Sequence, residues 1–419
     1  MDTNDYYALL VPLFFLLMGI EAWALRRQGL RAYVLPDTLA NLSCGMGQVL
    51  VGIFTGGFLL ALYDGFQRTF AVVRWEEGSP VPWVLAFVGV DFCYYWFHRG
   101  SHAVGGLWAI HVVHHQSEEM NISVAIRQPW ISDISGLLFF WPLPLLGVPM
   151  EKFFLAVGCL SLYEAMMHTR LIRRTGAWGW VFNTPSYHRL HHGKDAEYLD
   201  RNFGSTLIIW DKLFGTFVRE THPPTYGTTR ALASWNPLWA QFQPFIELVR
   251  RTRRASNWRD AVKMWLLPPG WRAPGEEVEP EPSTRPTQDV PRWLAAYGVL
   301  QFLLLSVMGS ALQWLGGGVG LAGSAVIVGL VLWGTGTIGA LFEGKPWALK
   351  LELLRLGLSA SVALLATARF KASWLVPTAA CFLISGAALM LFLSKKAFGQ
   401  RGKDRLIDFG GESRLSRHK

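Results

Sequence analysis

Charge is scarce in this chain of 419 residues: 16% are charged and 51% are apolar. A soluble globular domain carries roughly a quarter charged residues, so the shortage argues against a water-soluble enzyme. Cysteine is also scarce. The four thiols, Cys44, Cys93, Cys159 and Cys381, lie far apart in apolar stretches, and no CxxC pair exists. That excludes a disulfide framework and a thiolate metal cluster, and it reads as buried structural thiols. The chain lacks a GxSxG elbow, and its glycine-rich run 316–318 is followed by no P-loop lysine. The N-terminus has Asp2 and Asp5 where a secretory leader would have basic residues, so a cleaved signal is not expected.

What the chain has in place of charge is apolar length. Stretches near 6–25, 39–63, 81–97, 131–147, 151–168, 293–313, 318–342, 347–369 and 374–394 approach the ~20 residues that cross a bilayer. The expected fold is therefore all-α: a polytopic integral membrane protein of about 7–9 membrane helices with a histidine-rich helical cap on its cytoplasmic side. Pro142, Pro144 and Pro149 break the 131–168 pair into short halves, which suits a hairpin that enters and returns. The net charge of +9 comes from groups flanking apolar stretches: Arg26, Arg27 and Arg31; Arg170, Arg173 and Arg174; Arg250 to Arg254; Lys395, Lys396 and Arg401. Positive-inside flanks explain it, and no nucleic-acid motif accompanies it. Threading the chain from an outside N-terminus puts every histidine cluster and the basic tail inside.

The expected organisation is a membrane and histidine-cluster domain over 1–267, a Pro-rich linker over 268–292, a four-helix membrane module over 293–395, and a basic cytoplasmic tail over 396–419. Within the first, 236–266 alternates apolar and basic residues, as in a helix lying in the interface plane.

The chemistry concentrates in histidine. Eight of the 11 histidines form three clusters: His98 and His102; His111, His114 and His115; His188, His191 and His192. Neutral imidazole is the commonest protein metal ligand, and eight are too many for one ion but suit two. Asp91, Tyr95, His98 and His102 share one helix face, with Asp91 placed to hydrogen-bond a ligand imidazole. The other two clusters repeat His-x-x-His-His, which aims three imidazoles at one point. His168, four residues after Glu164, is a further candidate, and Glu164 could be a ligand or a hydrogen-bond partner. His222 and His418 stand alone and read as satisfied polar residues. Burying the clustered imidazoles without a partner would cost several kcal/mol. A zinc hydrolase and a metal transporter remain readings of the residues alone. The first lacks a nucleophile motif, and the second would want ligands at mid-span.

Four stretches carry a family resemblance. They are Asp91-Phe92-Cys93-Tyr94-Tyr95-Trp96-Phe97-His98-Arg99; His114-His115-Gln116-Ser117-Glu118-Glu119-Met120-Asn121-Ile122-Ser123 with Arg127-Gln128; Asn183-Thr184-Pro185-Ser186-Tyr187-His188-Arg189-Leu190-His191-His192-Gly193; and Asp200-Arg201-Asn202-Phe203-Gly204 through Trp210-Asp211-Lys212-Leu213-Phe214-Gly215-Thr216-Phe217. Together, over roughly 80–235, the chain resembles the fatty acid hydroxylase superfamily of membrane di-iron oxygenases, which includes the sterol desaturases. Within it the likeness is to the ether-lipid-cleaving branch. The resemblance implies two iron ions on the clustered histidines, dioxygen as co-substrate, and tetrahydrobiopterin or another electron donor. It implies a membrane lipid as substrate: an alkyl-glycerol ether first, a sterol or other lipid as the alternative to be hydroxylated or desaturated. Asn121 and Tyr95 belong to the matched stretches and join Asp91 and Glu164 as candidates beside the metals. One position departs: Ala103 stands where that branch has a glutamate, which bears on the use of a pterin.

Overall fold

The computed structural model describes residues 3–173, 175–276 and 290–390. Among them every regular element is helical, and five helices are long and apolar enough to cross a membrane: Leu35–Phe70, Arg292–Leu312, Gly320–Phe342, Ala348–Phe370 and Ser373–Met390. The chain is an integral membrane protein built of helices. Arg174, the linker residues 277–289 and the basic tail expected over 396–419, with His418, lie outside the described residues.

The chain divides into two compact units, Met1–Phe302 with Ile338–Gly344, and Leu303–Thr337 with Lys345–Lys419. In the first, α1 (Thr3–Arg27) and the long α2 (Leu35–Phe70) precede α3 (Val81–Ala103) and α4 (Gly105–His115). After them come the short α5 (Ile122–Ala125), α6 (Ser132–Phe140) and α7 (Pro142–Leu145), then α8 (Met150–Met167), α9 (Pro185–His191) and α10 (Ile209–Leu213). The part closes with α11 (Pro237–Arg254) and α12 (Trp258–Leu266).

Local chemistry sets these boundaries. Proline at the first positions of α2, α3, α7, α9 and α11 supplies the helical φ where its missing N–H costs nothing. A single extended residue, Val104 (φ −123°, ψ 118°), separates α3 from α4. The turn there is tight: a Cβ on Gly105 would lie 2.3 Å from the Met264 carbonyl of α12. In the same way a Cβ on Gly47 would lie 2.2 Å from the Trp130 indole nitrogen, which donates to the Cys44 carbonyl at 3.1 Å. Tyr63 and Gln67 of α2 both donate to the Val148 carbonyl, at 2.9 Å each, and pin the turn before α8. Behind that turn Val90, Leu143, Phe153, Ala156 and Leu160 form a packed apolar core.

Three expectations need correction. The interfacial stretch 236–266 is two helices, because the Asn257 side chain caps a second start by accepting from the Asp260 N–H at 2.9 Å. The first part of the stretch read as a linker is folded: Arg251 donates to the Trp271 carbonyl at 2.8 Å and to the Glu276 carboxylate, so 268–276 packs on α11 and α12. Cys159 is exposed, and all four thiols are unpaired.

The second unit is described by itself. It holds α13 (Arg292–Leu315) from Leu303 on, α14 (Gly320–Phe342) up to Thr337, all of α15 (Ala348–Phe370), and the helix over 373–390. At its centre Glu352 and Arg355 form an ion pair with no exposed side-chain surface. Thr337 donates to the Glu352 carboxylate at 2.5 Å, and Arg355 lies 5.3 Å from the Phe382 ring centre.

Candidate metal centre

The ends of α3, α4, α8 and α9 meet in one chamber. The nine imidazoles fall into two groups, His98, His102, His111, His115 and His191, and His114, His168, His188 and His192. Within each group one nitrogen per ring lies within 4.8 Å of all the others. All nine side chains are buried. His168 thus joins the eight expected histidines, and it does so as a full member of a group.

The spacing fits metal ions. Facing Nε2 atoms are 3.2 Å apart for His102 and His115, 3.1 Å for His111 and His115, 3.2 Å for His114 and His168, 3.1 Å for His168 and His188, and 3.2 Å for His188 and His192. Ligands held about 2.1 Å from an ion stand roughly 3.0–3.4 Å from one another. The Nε2 atoms of His98 and His191 are buried with no hydrogen-bond partner, a state that costs energy unless something else binds there. On the opposite side, Nδ1 is engaged: His98 with the Phe203 carbonyl (2.8 Å), His114 with Arg127 (3.1 Å), His168 with Glu164 (2.9 Å) and His191 with Arg201 (2.9 Å). His102 does the same with the Asp200 carboxylate at 3.0 Å. An Nδ1–H that donates outward leaves Nε2 unprotonated and aimed inward, the arrangement of metal-bound imidazole. Burial, and then the neighbouring rings, hold His111, His115, His188, His191 and His192 well below the ordinary imidazole pKa. His114 is lowered to about 4, by burial first and the Arg127 charge after it. These rings are neutral at pH 7 and free to ligate.

The supports are local too. Asp200 and Asn202 adopt φ of 55° and 57°, left-handed values that short polar side chains tolerate. That kinks the loop so that its carbonyls face the chamber. Asp211 holds the loop by accepting from the Phe203 and Gly204 N–H groups, each at 2.7 Å. Asn202 donates to the Tyr187 and Val218 carbonyls at 3.1 and 3.0 Å and so positions α9. The fully buried Arg127 donates to Val113, Asn41 and Gln116, at 2.8, 3.0 and 2.9 Å. Its own carbonyl accepts from His114. Pro244 inside α11 has no N–H for the Ala240 carbonyl, which accepts from Gln116 instead at 3.2 Å.

The non-histidine candidates land elsewhere. Asp91 touches no imidazole: its oxygens accept from Thr206 N–H (2.8 Å), Leu207 N–H (3.2 Å) and the Trp210 indole (2.8 Å), so it anchors the segment leading into α10. Tyr95 meets Thr216 at 3.0 Å and accepts from Arg99 at 3.1 Å. Asn121 caps α5 by accepting from Ser123 N–H at 2.9 Å and donates to the Ala32 carbonyl. The Glu164 carboxylate stands outside both groups and accepts from the Tyr94 hydroxyl at 2.8 Å. His222 is exposed and pairs with Glu197.

Two cavities with no lining residue in common reach the chamber. One, about 510 Å³, is mostly apolar and touches His111 and His114, with Tyr94 and Glu164 beside them. Leu62, Phe66, Val90, Phe140, Phe154 and Leu160 belong to its wall. The other, about 400 Å³, is more polar than the first and touches His102, His115 and His191, with Trp108, Asp200, Arg230 and Glu247 in its wall.

The Fatty acid hydroxylase family model matches residues 83–216, a span that includes all nine histidines and the loop that supports them. An alkylglycerol monooxygenase of Xenopus tropicalis is 32% identical over 84% of this chain and 81% of its own length. The alkylglycerol monooxygenase of Homo sapiens is 32% identical over 73% of this chain and 70% of its own. The chain belongs to the alkylglycerol monooxygenase family. It is an oxidoreductase of the fatty acid hydroxylase type. An ornithine lipid hydroxylase of Rhizobium tropici is 33% identical over a shorter part, 36% of this chain and 46% of that protein. No solved structure matches. The two histidine sets described above have the donor chemistry to hold metal ions.

Proposed function

We propose that this protein is a dioxygen-dependent di-iron monooxygenase that hydroxylates an alkyl-glycerol ether on the carbon next to the ether oxygen and so releases a fatty aldehyde. The direction of the apolar cavity carries the reading. Its wall follows α2 from Gln48 to Phe66, about 27 Å of helix rise. Along α8 it follows Ala165 to Phe153, about 18 Å, beginning beside His168. Asn41, which binds Arg127 next to His114, is only about 10 Å of rise from Gln48. The polar wall residues Gln48, Gln128, Ser132 and Asp133 and the imidazoles thus share one end, and the far end is apolar. A lipid lying there points its tail away and offers the first carbons of its chain to the histidines. That suits attack beside a head group and suits mid-chain chemistry poorly.

His98, His102, His111, His115 and His191 would hold one ion, and His114, His168, His188 and His192 the other. Bound iron supplies dioxygen activation. The protein's own groups do the rest. The outward Nδ1–H bonds fix the rings of His98, His102, His114, His168 and His191. The apolar wall excludes water and aligns the chain. Tyr94 and Glu164 keep a shared proton at the substrate's edge of the chamber. In balance, R–CH2–O–R′ with O2, two electrons and two protons gives R–CHO, HO–R′ and water. The hydroxylated carbon is a hemiacetal: its O–H proton passes to the ether oxygen as that C–O bond breaks. The second cavity, with Asp200, Arg230 and Glu247 in its wall, gives a water-soluble reductant, tetrahydrobiopterin or another donor, an approach to His102, His115 and His191. The positive-inside pattern supports placing the chamber and the C-terminus on the cytoplasmic side. We further propose a catalytic domain over 1–267, and a membrane module over 293–395 that brings the crossings to 7–9.

The test is an aldehyde assay. Iron-loaded protein receives a 1-O-alkylglycerol, tetrahydrobiopterin and labelled dioxygen, with His188→Ala as control. Fatty aldehyde from the intact protein alone is the expected result. Aldehyde from His188→Ala at the intact rate would overturn the site assignment. Its absence from both, with hydroxylation of a sterol or other lipid in its place, would move the substrate to the alternative within the family.

A further inference from the structure

A third cavity, about 780 Å³, shares no lining residue with the two that reach the histidines. It lies where two apolar helices end: Leu30 follows α1, Arg170 and Arg173 follow α8, and all three line it. Its wall holds four arginines, Arg170, Arg173, Arg189 and Arg219, against one carboxylate, Glu220. Arg189 already answers that carboxylate, and it also donates to the Ile172 and Arg173 carbonyls at 2.8 and 3.2 Å. The other three arginines form no ion pair among the described residues. Arg170 and Arg219 lie 5.9 and 6.0 Å from the Tyr226 and Phe217 ring centres, contacts that leave their N–H groups able to donate. Glu21, the buried acid of α1, accepts from Tyr33, Thr169 and the Ile122 N–H and not from an arginine.

Ser186 adds an independent observation. It is only 8% exposed, it lines the same cavity, and its hydroxyl has no hydrogen-bond partner among the described residues. A buried hydroxyl without a partner is costly unless a ligand meets it. Guanidinium groups converging beside such a hydroxyl suit phosphate, which accepts paired N–H bonds. The rim is apolar. Trp180 lines the cavity and is 72% exposed, and the neighbouring Ile172, Trp178 and Val181 are exposed as well. Tryptophan favours the level of lipid head groups, and basic pockets at the ends of membrane helices take anionic ones. A free phosphate has no use for that rim, whereas acyl chains do.

We propose that this cavity binds the phosphate of an anionic membrane phospholipid, held by Arg170, Arg173, Arg219 and the Ser186 hydroxyl, with its acyl chains along Trp178 and Trp180. Ser186 and Arg189 belong to α9, the helix that carries His188 and His191. A lipid seated there ties α9 to the segment after α8 and to Arg219 beyond α10, and so stabilises the fold around the chamber. The site is independent of which lipid is oxidised.

The test places the full chain in nanodiscs of phosphatidylcholine, with or without phosphatidylglycerol. Thermal unfolding is followed, and lipid retained after detergent extraction is counted by native mass spectrometry. Phosphatidylglycerol is expected to stay bound and to raise Tm. Arg170→Gln with Arg219→Gln should cut retention several-fold and cancel the rise, and Ser186→Ala should lose less. Arg219→Gln alone, a change at an exposed residue, keeps the test open should the pair fail to fold. Arg26→Gln with Arg27→Gln removes equal charge from the end of α1 outside the cavity wall and should change neither reading. Equal losses from the two pairs would reduce the effect to general surface charge and overturn the site. Inorganic phosphate that raises Tm in phosphatidylcholine alone as far as phosphatidylglycerol does would overturn the lipid as its occupant.

Discussion

The histidine chamber and the core of the C-terminal unit both bury polar side chains, and they do so for opposite ends. In the C-terminal unit Glu352 and Arg355 answer each other, and Thr337 supplies a further donor. There each charge meets its opposite within the protein. In the chamber the outer nitrogens are answered by Phe203, Arg127, Glu164, Arg201 and Asp200, while inner nitrogens such as those of His98 and His191 are left without a protein partner. That group is closed only by something added. Burial of polar residues therefore does not mark a site, whereas burial with one side satisfied and the other side convergent does.

Substitutions can break this contrast. His191→Ala removes a ring from one group and should lower bound iron and abolish turnover, measured by metal analysis and the aldehyde assay, with the protein still extracted as a folded membrane protein. Loss of folding without loss of iron in the folded fraction would put the chamber in the structural class. Arg355→Leu alone should destabilise the C-terminal unit by about 3–5 kcal/mol, since it strands a buried carboxylate. The double change of Glu352→Leu with Arg355→Leu should restore most of the thermal stability in detergent and leave iron content untouched. The smallest effect belongs to Asp200→Asn. Its side chain holds only His102 and is largely exposed, so iron affinity should fall roughly 10–100-fold while the neighbouring rings stay in place. An unchanged affinity would show that the carbonyl-held rings suffice.

The sequence made the imidazoles legible because ligation needs a side chain, and helical spacing says which side chains share a face. Two His-x-x-His-His repeats and a His-x-x-x-His pair could hardly be spread apart on helices. The supports were harder to read. Four of the five outward Nδ1 partners named here are backbone carbonyls, which any residue supplies. Asp91 shows the limit of periodicity from the other side: it does share the His98 face of α3, but the segment before α10 reaches its carboxylate first. Tyr95 was drawn in by the same spacing, and Phe214 and Thr216 claim it. Asp211 lay in a quoted motif without a role, because its function is to hold two N–H groups of a loop whose path no pattern announces. The long apolar helices were plain from composition. The break between α11 and α12 was signalled by Asn257 three residues before Asp260, a capping pattern hidden by the amphipathic run around it.

The separateness of the two cavities bears on the order of events. A lipid filling one leaves the other open, so neither reactant has to depart before its counterpart arrives. Turnover under the proposed scheme then passes through a ternary complex, and the membrane supplies one partner while the aqueous phase supplies the other.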